Sequence, residues 1–288
     1  MKNKILITSY IELTKPRILT MVLVTTVLGF YLGGEGISSI PLLISLLLGV
    51  ALVSGGSSAL NHYLEREFDS KMQRTKNRPI PKGVISPACA LNFGITLTLL
   101  GIVILYVKVN ILTSFLSLLT SFLYIMVYTP MKRASWLNTT VGAIPGAIPP
   151  LGGWAAATGG LSFEAGILFL ILFIWQHPHF YAIAWMMRED YRRGGFKMLP
   201  VVEPDGNRMF KHVLWFSFAL IPVSLIPSVI GMSGLIYFTG ILIAGIMLFM
   251  ISQSFARSRS FDDAKKLLRA TVVYLPVLLF LIIMDVSF

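Results

Sequence analysis

Residues 212–256 read HVLWFSFALIPVSLIPSVIGMSGLIYFTGILIAGIMLFMISQSFA, 45 consecutive positions without an Asp, Glu, Lys or Arg. A helix needs about 20 mostly apolar residues to cross the hydrocarbon of a bilayer, so this run is too long for one crossing and suits two. Gly231-Met232-Ser233-Gly234 near its middle supplies the turn. The rest of the chain follows the same plan. Charge-free stretches lie at 18–34, 36–64 (its span beginning near Pro41), 84–107, 109–131, 134–163 and 165–187. A shorter one at 270–284 is extended by Leu267 and Leu268, with Arg269 long enough to snorkel. The expected fold is all-α and polytopic: nine transmembrane helices in a bundle around a central cavity.

Composition leads to the same class. Of 288 residues, 55% are hydrophobic and only 13% charged, against roughly a quarter charged in soluble domains. Mean hydropathy is +0.77. A soluble enzyme, a disordered tail, a zinc protein and a disulfide scaffold are excluded, the last two because Cys89 is the single cysteine. The net charge of +11 does not imply nucleic acid, because the bases sit between apolar spans. The partner they imply is the lipid bilayer. With alternating loops, all 24 lysines and arginines except Lys108 fall on the side of the N-terminus. The positive-inside rule makes that side cytoplasmic. The start has no cleavable signal peptide and no room for a transit peptide, so a multi-pass protein of a bacterial cytoplasmic membrane is expected.

Two loops on that side stand apart. In the first, Asn61, Glu65 and Asp69 recur every four residues and therefore share one helical face. Hard cations such as magnesium take a few such oxygens plus substrate phosphates. Lys71, Arg74, Lys76 and Arg78 follow, donors suited to phosphate oxygens. Asn61 and Glu65 lie where the apolar span ends, a costly place for polar groups that do nothing, and Gly55-Gly56-Ser57-Ser58-Ala59 before them permits close helix packing.

The second loop follows His177-Pro178-His179-Phe180, where Pro178 is expected to kink the sixth helix. His177, Tyr181, Ala184 and Arg188 would share one face of it. Metal ligation and proton transfer both suit the histidine pair. Between the loops, Asn138–Trp154 holds three prolines and four glycines inside one span, which means a broken helix lining a cavity or buried in protein. Broken helices also suit a transporter, but the polar residues cluster at one end of the spans and no charged path continues outward.

These motifs resemble those of the intramembrane UbiA-type prenyltransferases. That family has nine helices, with Asn-x-x-x-Asp-x-x-x-Asp after the second and Asp-x-x-x-Asp after the sixth. Asn61, Glu65 and Asp69 match the first motif with Glu at its middle position. Met187 and Tyr191 stand at the acidic positions of the second, with Glu189 and Asp190 between them. This departure is similar to the branch that farnesylates protohaem IX. So are Thr14-Lys15-Pro16-Arg17, Phe68-Asp69, Arg74-Thr75-Lys76-Asn77-Arg78-Pro79, His177-Pro178-His179-Phe180 and Arg188-Glu189-Asp190-Tyr191 through Met198-Leu199-Pro200.

The resemblance implies a single transmembrane prenyltransferase domain over 1–288, with a pseudo-repeat of the 65–82 and 188–211 loops. It implies farnesyl transfer from farnesyl diphosphate to a vinyl group of haem B, with water added, giving haem O, the precursor of haem A. It also implies Mg2+ on Asn61, Glu65 and Asp69 as the catalytic set, with Lys71, Arg74, Arg78 and Arg188 on the diphosphate. His177 or His179 would ligate or orient the haem iron, and Arg188, Arg192 or Arg193 would pair with the propionates. Tyr124, Tyr128 or Trp154 would face the allylic cation, and a haem A synthase is the suggested protein partner. The alternatives are a prenyltransferase acting on another aromatic or quinone-precursor acceptor and a non-catalytic haem-binding oxidase assembly factor.

Overall fold

The computed structural model describes residues 2–286 and is built from helices. Helix α1 (Lys2–Leu13) precedes α2 (Pro16–Gly33), α3 (Ile40–Asp69), α4 (Pro87–Lys108) and α5 (Ile111–Ala134). The fifth span is two pieces, α6 (Asn138–Ala147) and α7 (Pro149–Thr158). Then come α8 (Phe163–Met186), the short α9 (Arg188–Arg193) and α10 (Leu199–Val202), and α11 (Asn207–Val229), α12 (Leu235–Ser258) and α13 (Phe261–Met284). Eight of these helices are long and apolar enough to cross a membrane. The broken pair α6–α7 stands where the expected nine-helix count has its fifth span, neither piece being long enough to cross alone, and its break at Ile148 falls where Pro149 and Pro150 withhold two backbone donors.

Local chemistry sets the helix starts. Ser39, Ser86, Asn110 and Ser260 each accept the third following backbone N–H through the side-chain oxygen, which satisfies one donor the helix leaves free. Cys89 lies exposed in the first turn of α4. Large apolar side chains such as Ile44, Leu99, Phe115, Trp215 and Phe280 point outward, as a lipid-facing surface requires. Many small polar groups lie inside. With no hydrophobic drive between helices in lipid, close approach of small residues does the packing. On α3 and α4 a methyl added to Gly56 would sit 2.6 Å from the Gly94 carbonyl oxygen.

Helix α3 has 30 residues and is therefore about 45 Å long. The hydrocarbon layer is about 30 Å thick, so the last turns of α3, from about Asn61 on, reach the membrane edge at the basic end of the bundle. Helix α1 was not anticipated from the sequence. It lies across that end with Leu6, Ile7 and Ile11 exposed, Leu13 buried, and Tyr10 set edge-on against Phe93.

Candidate active site

Positions four apart on a helix drift only about 40°, so Asn61, Glu65 and Asp69 form a row, and all three are buried. Each is met by a cation from elsewhere in the chain. Lys15 Nζ donates to Asn61 Oδ1 at 2.6 Å, Lys132 Nζ to Glu65 Oε1 at 2.8 Å, and Arg78 to Asp69 Oδ2 at 2.6 Å. Asp69 Oδ1 is buried and has no protein partner. Among the described residues no three His, Cys, Asp or Glu converge into a complete metal cage. The row is thus a partial oxygen set with one carboxylate oxygen free, which fits a magnesium ion completed by substrate oxygens and water.

Lys15 reaches this row through a bend. It sits between α1 and α2 with φ 51, a left-handed conformation that a residue before proline rarely adopts. The bend turns its ammonium inward, where it also donates to Tyr124 Oη at 3.1 Å. Burial, reinforced by the charges of Arg78 and Lys132, lowers the Lys15 ammonium to about 7, while Glu65 and Asp69 pull it upward.

Residues 123–128 of α5 wind as a π-helix, an element common at functional sites. Thr129 Oγ1 donates to the Tyr124 carbonyl at 2.8 Å and accepts from Asn61 Nδ2 at 3.1 Å. The same winding stacks Tyr124 on Tyr128 with ring centres 5.7 Å apart and sets Lys132 Nζ 4.6 Å over the Tyr128 ring. Gly142 on α6 makes room: a methyl there would lie 2.5 Å from the Tyr128 ring. Two of the three aromatic residues expected near the allylic carbon are therefore in the site. Trp154 is not. It packs against Gly33 at the other end of α2, about 27 Å along that 18-residue helix from Pro16.

The two basic-end loops are in contact. Asp190 accepts from the backbone amides of Gln73 at 3.0 Å and Arg74 at 3.2 Å, and from the Arg193 guanidinium. Burial opposes its ionisation, but Arg193 and the two amides outweigh that and hold the carboxyl below its ordinary value. Asp190 thus turns inward as a clamp on the first loop. Glu189 is exposed and pairs with Arg192 at 2.7 Å. Arg192 and Arg193 are both engaged by acids of their own short helix.

Among the expected diphosphate ligands, Arg78 reaches the row. Lys71 Nζ lies 5.7 Å from the Phe68 ring centre, and Arg74 is exposed with its amide held by Asp190. Arg188 does not continue the face of His177 and Tyr181. Helix α8 ends at Met186, Met187 is non-helical, and the Arg188 guanidinium stacks 4.4 Å from the Trp185 ring. Helix α8 runs on through Pro178. Two residues turn a helix by about 200°, so the two histidines diverge. His177 is fully buried, stacked on Phe216 at 3.6 Å, with Nε2 3.3 Å from Thr140 Oγ1 of α6. His179 faces α13, with Nδ1 2.9 Å from Thr271 Oγ1.

Sequence reasoning missed three contributors. Lys132 reads as a positive-inside anchor, and Lys15 as part of a basic N-terminal segment. Thr129 carries no charge to attract notice.

A buried row of oxygen ligands ringed by cations, at the edge of an apolar helix bundle, marks the candidate active site of a multi-pass membrane protein. Comparison with known proteins places it further: the UbiA prenyltransferase family matches residues 22–279, and the chain belongs to that family. It is 44% identical to a protoheme IX farnesyltransferase of Solibacter usitatus (strain Ellin6076) over 285 residues, 96% of this chain and 98% of that one. It is 43% identical to the protein of that name from Salinibacter ruber over 276 residues, again 96% and 98%. A solved structure concerning digeranylgeranylglyceryl phosphate synthase superposes with a TM-score of 0.81 at 17% identity, covering 97% of this chain and 98% of that one. A UbiA homologue from Archaeoglobus fulgidus bound to DMAPP and Mg2+ gives 0.71 at 15% identity, covering 96% and 99%. These two likenesses establish a common fold.

Proposed function

We propose that the protein transfers a farnesyl group from farnesyl diphosphate to a vinyl group of haem B and completes the product with water, giving haem O. The observation that carries this is the buried row Asn61, Glu65 and Asp69, with one free carboxylate oxygen, set among Lys15, Arg78 and Lys132. The name carried by relatives over 40% identical supplies the two substrates.

In this reading the C1–O bond of farnesyl diphosphate breaks and its electron pair leaves with the diphosphate. The vinyl π pair bonds to C1, leaving a cation on the vinyl carbon next to the porphyrin ring. Water adds there and loses a proton. Asn61, Glu65 and Asp69 would hold magnesium, which supplies charge neutralisation for the departing diphosphate. Lys15, Arg78 and Lys132 are in place to hold the anion as its charge grows. Tyr124 and Tyr128 would offer π faces to the allylic carbon by exchanging their present contacts with Lys15 and Lys132 for substrate, and the surrounding helices would keep bulk water from it. His177, inside the bundle beside the broken helix, is the better placed of the two histidines for haem iron. Lys71, Arg74 and Arg188 would reach the diphosphate, and Arg192 and Arg193 the propionates, by exchanging present partners for substrate. The chain acts as one domain whose basic end faces the cytoplasm of a bacterial cell membrane, and a haem A synthase would take its product.

The test uses purified protein in detergent with haem B, farnesyl diphosphate and Mg2+, followed by mass spectrometry of the extracted haem. The expected product is heavier by one farnesyl group and one water. Unchanged haem B with pyrophosphate released to another acceptor would keep the family chemistry and reject haem as the acceptor.

A further inference from the structure

His62 stands next to Asn61 on α3 and is 2% exposed, yet neither ring nitrogen has a protein partner. A neutral imidazole carries one donor and one acceptor, and leaving both unmet in a buried place is costly. Most buried polar groups are paired, so this ring requires a reason.

Its position supplies one. Seven residues make almost two full turns, so His62 lies on the same face of α3 as Gly55, whose Cβ position would touch Thr14 at 3.3 Å. That face lies under the bend that carries Lys15. Ala59, one turn back, packs with Leu13, Ile80 and Ile85, the apolar cluster that closes the outer side. On the inner side His62 adjoins the row: Asn61 precedes it, Glu65 lies about one turn on and Asp69 about two, and these three are held by Lys15, Lys132 and Arg78. With both ring nitrogens unpartnered, the ring N–H needs an acceptor. An anion lodged among the same three cations would supply it.

We propose that His62 is a diphosphate-binding residue, its neutral imidazole N–H donating to an oxygen of the prenyl diphosphate held by Lys15, Arg78 and Lys132. The assignment rests on the reading of this site as a diphosphate site and adds a ligand to it. A charge-neutral donor suits this edge of the cradle. It binds the anion without adding a fourth positive charge to three that already repel one another.

The test measures binding of inorganic pyrophosphate with Mg2+ by calorimetry, without haem or turnover, in the wild type, His62→Met, His62→Gln and Asp69→Ala. Met fills similar space and donates nothing, while Gln keeps an N–H at similar reach. Loss of one hydrogen bond to a charged group predicts a fall of roughly tenfold or more for H62M. H62Q should stay near wild type, and the thermal midpoint of unliganded H62M should be unchanged or raised. Equal affinity of H62M and wild type would overturn the proposal and leave the site reading intact. Absence of binding by wild type would overturn both. If H62M does not fold, ring-15N-histidine spectra of the wild type decide, with H62Q identifying the signal. A His62 resonance that shifts on adding magnesium pyrophosphate supports the assignment, and one that stays still overturns it.

Discussion

Lys132 on α5 and Glu65 on α3 form a buried ion pair, Nζ to Oε1 2.8 Å, that ties the two helices together at the floor of the site. Breaking a buried pair from one side leaves an uncompensated charge, at a cost of about 3–5 kcal/mol. Lys132→Met is therefore expected to unfold at markedly lower temperature. The double variant Lys132→Met with Glu65→Gln should recover much of that stability and none of the turnover, because its site has lost both a cation and a carboxylate. Thermal unfolding of the two single variants and the double variant checks this.

Asp69 contributes the oxygen with no protein partner, while its other oxygen is held by Arg78. Asp69→Ala should insert into membranes normally and lose turnover by roughly 10²–10³-fold. Magnesium-dependent pyrophosphate release is the measurement. A variant that keeps wild-type activity at all magnesium concentrations would place the metal elsewhere.

Gly142→Ala adds a methyl against the Tyr128 ring. Alanine is the better helix former by about 1 kcal/mol, so global stability should not suffer greatly. The ring must move, and with it the surface under Lys132. Displacements of this size cost up to about a hundredfold in rate. Single-turnover kinetics should slow by roughly tenfold or more with diphosphate affinity nearly unchanged.

Asp190 holds the first loop through the amides of Gln73 and Arg74. Its carboxyl is depressed in the folded protein. The stabilisation is therefore full above the ordinary carboxylate range and is lost as pH falls through the folded value, below about 4. Hydrogen exchange at Gln73 and Arg74 should stay slow near neutral pH in the wild type. In Asp190→Asn it should be fast at the same pH, since a neutral amide holds the two N–H groups less well.

His177 and His179 should separate cleanly in haem titrations followed by absorption. His177→Ala is expected to remove the spectrum of a nitrogen-ligated iron. His179→Ala, which loses a contact to Thr271 and the stacking on Trp175, should keep it. The reverse result would place the porphyrin against α13.

The spans and the oxygen row were legible because each follows from a local period: runs of about 20 apolar residues, and Asn61, Glu65 and Asp69 spaced by four. What completes the site is not local. Lys132 is 67 residues from the glutamate it pairs with, Lys15 is 46 from Asn61, and Asp190 is 117 from the amide it binds. No periodicity reports such distances. Asp190 shows the same: its place between the positions of the missing acidic motif assigns it no role, and the backbone amides of the first loop use it as an anchor. The end of α8 at Met186 was likewise hidden, because nothing in Met187-Arg188 breaks a helix by composition. The π-turn of α5 has no sequence mark at all.

The distance between Glu65 and Lys132 along the chain also bears on how the protein is made. Synthesis at about 5–20 residues per second puts roughly 3–13 s between the emergence of the acid and that of its base. During that interval the end of α3 carries a carboxylate with no countercharge from α5. It must wait in the aqueous headgroup zone rather than sink toward the hydrocarbon. The fourth long helix to leave the ribosome therefore neutralises the second, and the reaction centre assembles only after both are in the bilayer.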